Sequence, residues 1–198
     1  MRITLGWASL VLVAAALFVA GFVTHENRIR EQDALGAIAT EIAGRHVSVR
    51  CPSFLRGLVD THGEAGRVDF DADGRPGDHT DLSPETCAQL GKLDRVDFAC
   101  LDRATCGYDQ FRAGWAAHTL AHEAFHLRGF ADEGVTECYA LQNTSFVAQR
   151  LGVPRRQADE LQRWLFVKGY PNEPAEYHAS GCYAGGPLDL TPQDPAWP

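Results

Sequence analysis

Thr119-Leu-Ala-His-Glu-Ala-Phe-His-Leu-Arg128 has the spacing of a helix, and its reading sets the expected fold. His122 and His126 are four apart, so on a helix their rings project from one side, about one turn from each other. Two imidazoles placed in this way can share one tetrahedral zinc ion. Glu123, beside the first ring, then faces the coordination position left for water. This is the arrangement for metal-assisted hydrolysis, with Glu123 as general base. An amphipathic helix with two surface histidines would carry the same five letters, so the residues that follow matter.

Gly129 is suited to end this helix, because it tolerates left-handed dihedrals at the C-cap. Asp132 can cap a second helix with Glu133 in its first turn. Val135, Cys138, Tyr139, Ala140 and Leu141 would give that helix a buried side. A catalytic zinc takes three protein ligands and keeps one position open. Glu133 and Asp132 are the candidates for the third ligand.

HExxH, a short connection and Glu133-Gly-Val-Thr-Glu137 together resemble the gluzincin peptidases. The resemblance implies a zincin-like domain that binds Zn²⁺ and cuts peptide bonds. It makes His122, His126 and Glu133 the ligands and Glu137 an outer acid supporting a ligand histidine. Gluzincins more often have aspartate in that outer place. Glu137-Cys-Tyr-Ala140 is also similar to the Asp-Cys-Tyr-Ala of some bacterial neutral zinc metallopeptidases. The resemblance covers residues 115–145. The stretch from His122 to Asp132 also resembles the metzincin frame HExxHxxGxxH, with Asp132 as third ligand, as in the snapalysin-like variants. Metzincins need a methionine turn beneath the metal, and the chain's one methionine is Met1. The residues after Asp132 also continue as a helix. Glu133 is therefore preferred, with Asp132 as the alternative.

Ile3 to Val23 carries no charge. As a helix it would span roughly 30 Å, the thickness of a hydrocarbon core. Residues 1–23 are expected to form a transmembrane signal-anchor, a cleaved signal peptide being the alternative. Residues 24–30 would be a juxtamembrane link. The flanking charges do not settle orientation. Six cysteines lie beyond this segment. An even number after an export signal suggests three disulfides in an oxidising compartment, which makes the domain extracytoplasmic on a single-pass membrane protein. The competing reading is six reduced thiols in a cytosolic domain. Fifteen pairings are possible. One set is Cys51–Cys87, Cys100–Cys106 and Cys138–Cys182. The net charge of −8 argues against nucleic acid as a partner.

Residues 31–183 are expected to form one domain, and the Pro- and Gly-rich residues 184–198 a tail. Leu35, Ile38, Ile42 and Ala43 suit one buried helix face, and His46–Cys51 alternates as a strand would. Ser83 before Pro84 reads as a helix start, and another helix should follow Pro154. Asp69-Phe-Asp-Ala-Asp-Gly74 imitates the start of a calcium loop, but the twelfth position is Thr80 rather than glutamate. A hairpin with an Asp-Gly turn is the preferred reading. By the resemblance, such a hairpin could supply an edge strand beside the metal helix that holds a peptide backbone. His118, one turn before His122, could be a fourth imidazole near the metal; the preferred reading is a neighbour lining the cleft or bonded to a backbone carbonyl. Tyr177, His178, Tyr170 and Tyr139 are candidate donors to an oxyanion. No GxSxG and no phosphate-binding loop occur.

The expected architecture is α+β: a transmembrane helix, then a small zincin-like domain. A β-hairpin or small sheet packs on the motif helix, a second helix bears the third ligand, and disulfides staple the whole. The expected activity is peptide-bond hydrolysis by Glu123-assisted attack of a zinc-bound water. The competing class is a catalytically idle zincin-like binding or assembly module of the cell envelope.

Overall fold

A 21-residue helix, α3 (Tyr108–Arg128), runs through the middle of the domain and organises it. The computed structural model describes residues 29–52, 64–193 and 197. In chain order its regular elements are α1 (29–43), β1 (Ser48–Arg50), β2 (Gly66–Arg67), β3 (His79–Leu82), α2 (Pro84–Leu90), α3, α4 (Glu133–Arg150) and α5 (Arg155–Lys168).

Helix α3 has no exposed face in its second half before its last residue; every residue from Ala116 to Leu127 is buried. Alanines at 113, 116, 117, 121 and 124 let its neighbours approach closely. The approach is tightest at Gly114, where a Cβ would stand 2.6 Å from Leu161 Cδ1 of α5. The helix ends as its glycine predicts. Gly129 is left-handed (φ 112°), its N–H donates to His126 O, and Phe130 N–H donates to Phe125 O. This is a Schellman cap, and the Phe125 and Phe130 rings meet over it with centroids 6.0 Å apart. The Arg45 guanidinium closes the same end by donating to the Leu127 carbonyl at 2.9 Å. Asp132 caps α4 by accepting from Val135 N–H, also at 2.9 Å.

The architecture is mostly helical, with five α-helices among the described residues, and this corrects the α+β expectation. The sheet is small. Its three strands have three, two and four residues, in the order β1-β3-β2. β1 runs parallel to β3, and β2 runs antiparallel to it. The reason lies in the Asp- and Gly-rich segment. Asp71 Oδ1 accepts from the N–H groups of Asp73 and Arg75. These bonds close the tip of the expected hairpin, where Asp71 N–H donates to the Arg75 carbonyl and Gly77 N–H to the Asp69 carbonyl on either side of the bridge Phe70–Pro76; the ladder is interrupted between that bridge and the pair Arg67–Asp81. The same bonds commit Asp71 to a turn rather than to a calcium cage.

The transmembrane part of the expected fold is not borne by any described helix: none is long and apolar enough to cross a membrane. The run Ile3–Val23 lies outside the described residues. Three disulfides form: Cys51–Cys87, Cys100–Cys106 and Cys138–Cys182. The first ties the end of β1 to α2. The third ties α4 to the tail, whose Leu188 carbonyl and Leu190 N–H bond the Gln142 side chain.

Candidate metal centre

The convergence of α3 and α4 brings three side chains to one point. His122 Nε2 and His126 Nε2 are 2.9 Å apart. Glu133 Oε2 lies 3.1 Å from the first and 3.3 Å from the second. The helix spacing aligns the two rings, and the cap at Asp132 fixes Glu133 as the first residue of α4.

The outer nitrogens decide what those inner atoms are. His126 Nδ1 is 2.6 Å from the Phe130 carbonyl oxygen, which can only accept. His122 Nδ1 is 2.9 Å from Glu137 Oε2, again an acceptor. Each Nδ1 therefore carries a proton, and each Nε2 of a neutral ring is a bare lone pair aimed at the other and at the Glu133 carboxylate. Three acceptors at this distance repel unless a cation lies among them. In the chain without metal a proton serves. Burial alone would lower His122, but its bonds to Glu133 and Glu137 outweigh this and raise the imidazole to about 9. Burial and the neighbouring His122 charge instead hold His126 below its usual range. Glu133 is lowered, chiefly by its bond to His122. The buried histidines and glutamate could hold a metal ion in place of that proton.

Glu123 lines the same cleft. It is 5% exposed, and Thr80 Oγ1 of β3 lies 3.4 Å from its Oε2. Burial pushes its carboxyl up to about 7; the Glu133 charge adds to this, and the His122 charge opposes it. The cleft has a volume of about 540 Å³, and its walls include Gly66, Phe70, Glu133 and Tyr177. β2, an edge strand among the described residues, forms one wall.

Glu137 stands behind His122, 2% exposed. Burial pushes its carboxyl up, but the charge and hydrogen bonds of His118 and His122 prevail and hold it at about 2. Its Oε2 also lies 2.9 Å from His118 Nε2. His118 lines the cleft, as expected, and is bonded to a carboxylate rather than to a backbone carbonyl.

The other expected site residues divide. Tyr177, in the turn Ala175–Tyr177, has its ring centroid 5.8 Å from that of His122 and lines the cleft. His178 is turned away; its Nε2 is 3.0 Å from the Glu173 carbonyl, and its ring stacks on Tyr170. Tyr170 OH accepts from Ala179 N–H, and Tyr139 packs on Phe125 and Phe130, so neither faces the cluster. Asp132 is occupied as the helix cap and is not brought to it.

Thr80, Gly66, Gly134 and the Phe130 carbonyl escaped the sequence reading. A Cβ at Gly134 would meet His178 O at 2.8 Å, so this glycine lets the segment carrying Tyr177 lie against α4. The Phe130 carbonyl was foreshadowed by Gly129, since a Schellman cap turns the next residue back over the helix end. Thr80 carried no local signal. No protein-family model, curated protein or solved structure matches the chain.

Proposed function

We propose that the chain is a zinc-dependent hydrolase of peptide bonds. The observation that carries this reading is the triangle of His122 Nε2, His126 Nε2 and Glu133 Oε2, with edges of 2.9, 3.1 and 3.3 Å. Ligands bonded at 2.0–2.2 Å around a tetrahedral ion stand roughly 3.3–3.6 Å from one another, so this triangle would open by a few tenths of an ångström to take one. Two imidazoles and one carboxylate suit zinc, whereas calcium asks for six or more oxygens at longer range. Three protein ligands leave a fourth position open, as catalytic sites do.

When bound, such an ion supplies Lewis acidity that polarises a carbonyl and acidifies water. Glu123 takes a proton from the attacking water and passes it to the leaving amine. Burial, which raises this carboxyl in the chain without metal, favours a group that can both accept and return a proton. Glu137 holds the His122 ring by its Nδ1–H. Tyr177 offers the one phenol at the cleft wall for the developing oxyanion. Three disulfides support an oxidising, extracytoplasmic compartment.

The purified full chain should contain about one zinc per molecule and cleave a mixed fluorogenic peptide library. Glu123→Gln should keep the zinc and lose hydrolysis by on the order of 10²-fold or more. A zinc-loaded wild type that cleaves nothing, and that Glu123→Gln leaves unchanged, would make the domain a binding module instead.

A further inference from the structure

We infer that His118 is a positioning residue of the metal centre, acting through Glu137 on His122. This rests on the reading that a metal lies between His122, His126 and Glu133.

Glu137 Oε2 is 2.9 Å from two ring nitrogens, His118 Nε2 and His122 Nδ1. Its other oxygen, Oε1, is buried and has no hydrogen-bond partner among the described residues. The whole hold on this carboxylate is therefore at one atom, shared by two imidazole N–H groups from successive turns of α3. The terminal torsion of a glutamate is soft. One N–H would leave the carboxylate free to turn; two donors on one oxygen fix where it sits between α3 and α4. A carboxylate that cannot turn fixes the His122 ring, and so the direction of Nε2.

His118 is itself clamped. It is 2% exposed, the Trp115 ring lies against it with centroids 4.6 Å apart, and Thr144 Oγ1 is 3.5 Å from its Nδ1. It does not act as a ligand to the same ion. Its Nε2 is taken by Glu137 Oε2, which bonds the His122 Nδ1 rather than the Nε2 that meets His126 and Glu133. The role is to make one carboxylate rigid where it is 2% exposed.

The test compares full-length His118→Gln, His118→Asn and His118→Leu with the wild type, using Co²⁺ as the probe. Glutamine can place an amide N–H where the Nε2–H was; asparagine reaches only the Nδ1 position, and leucine has no donor. Cobalt affinity should fall roughly 10–100-fold in the Leu and Asn variants, with a shifted visible spectrum, and return to within a few-fold of wild type in the Gln variant. The spectrum reports ligand geometry, which a loss of global stability alone does not alter. If all three variants match the wild type, or all three lose affinity together, the inference fails and the metal reading stands. A wild type that takes up no cobalt or zinc removes both. Should the Leu variant not fold, the Asn and Gln pair decides alone.

Discussion

Gly66 lies against the Glu123 carboxylate so closely that a Cβ on it would stand 2.7 Å from Glu123 Cγ and 2.8 Å from Cδ and Oε1. Real Cβ atoms do not stand at such separations, so with any other residue here the Glu123 side chain must shift. Gly66→Ala should push the Glu123 side chain from its place beside Thr80. Peptide hydrolysis is expected to fall at least about tenfold, since displacement of a general base by under 1 Å can cost that much or more. Zinc content should stay near one per chain, because Gly66 touches none of the three ligands. Unchanged kinetics in a zinc-loaded Gly66→Ala would show that Glu123 does not need its observed position.

How much of this was legible beforehand depends on how local the cause is. The ends of α3 and α4 could be read because a cap is written in adjacent residues: Gly129 for one, Asp132 for the other. The two imidazoles could be read because a helix turn fixes their spacing. The sheet could not. The pattern around Asp69–Gly74 marked the hairpin turn but not its register: Arg67 pairs with Asp81 and Phe70 with Pro76, so residues 68–69 face residues 77–80 and the ladder breaks there. Thr80 reaches Glu123 across 43 residues of chain, and His118 reaches Glu137 across 19. Only tertiary packing makes such pairs, and hydrophobic periodicity carries no trace of which polar atoms will meet. His178 misled for a related reason. The disulfide Cys138–Cys182 does bring the tail to α4, but it is the neighbouring residue, Tyr177, that faces the cleft.

The ligand set separates two acidic neighbours. Glu133→Ala removes one edge of the cluster and should strip most of the zinc, as should His122→Ala. Asp132→Ala removes a helix cap and should cost about 1 kcal/mol of stability while leaving zinc bound. Metal analysis of the three proteins after dialysis against a weak chelator checks this. Loss of zinc from Asp132→Ala with retention in Glu133→Ala would reverse the assignment.

The tail should matter to both stability and turnover. Cys138–Cys182 joins residues 44 apart and anchors the segment bearing Tyr177 to the ligand helix. Replacing both cysteines by serine should lower stability by about 2–4 kcal/mol, seen as a lower denaturation midpoint under non-reducing conditions. Zinc affinity should change little, because all three ligands lie on α3 and α4. Hydrolysis should weaken more than binding if Tyr177 stabilises the transition state. Tyr177→Phe should then reproduce the kinetic loss without the loss of stability.

Protons and metal compete for the same point, and this gives opposite pH trends for the empty and loaded protein. His122 is raised from 6.5 to about 9 in the folded chain without metal. A raised imidazole stabilises the fold fully below the unfolded value near 6.5, and that contribution disappears as pH climbs through 9. Glu123, raised from 4.5 to about 7, acts in the same direction: ionising it in its buried place costs stability as pH rises from about 4.5 to 7. Glu137, lowered from 4.5 to about 2, contributes above 4.5 and is lost as pH falls toward 2. The metal-free melting temperature should therefore decline between pH 6.5 and 9. Zinc binding at pH 7 must first displace the His122 proton, so affinity should rise over that same interval, with roughly one proton released per zinc near neutrality. Titration calorimetry in buffers of different ionisation enthalpy measures the proton release, and melting curves with and without zinc give the two slopes. Parallel slopes, or zinc uptake with no proton released at pH 7, would mean that the cation-holding point between the two rings and Glu133 is not where the metal binds.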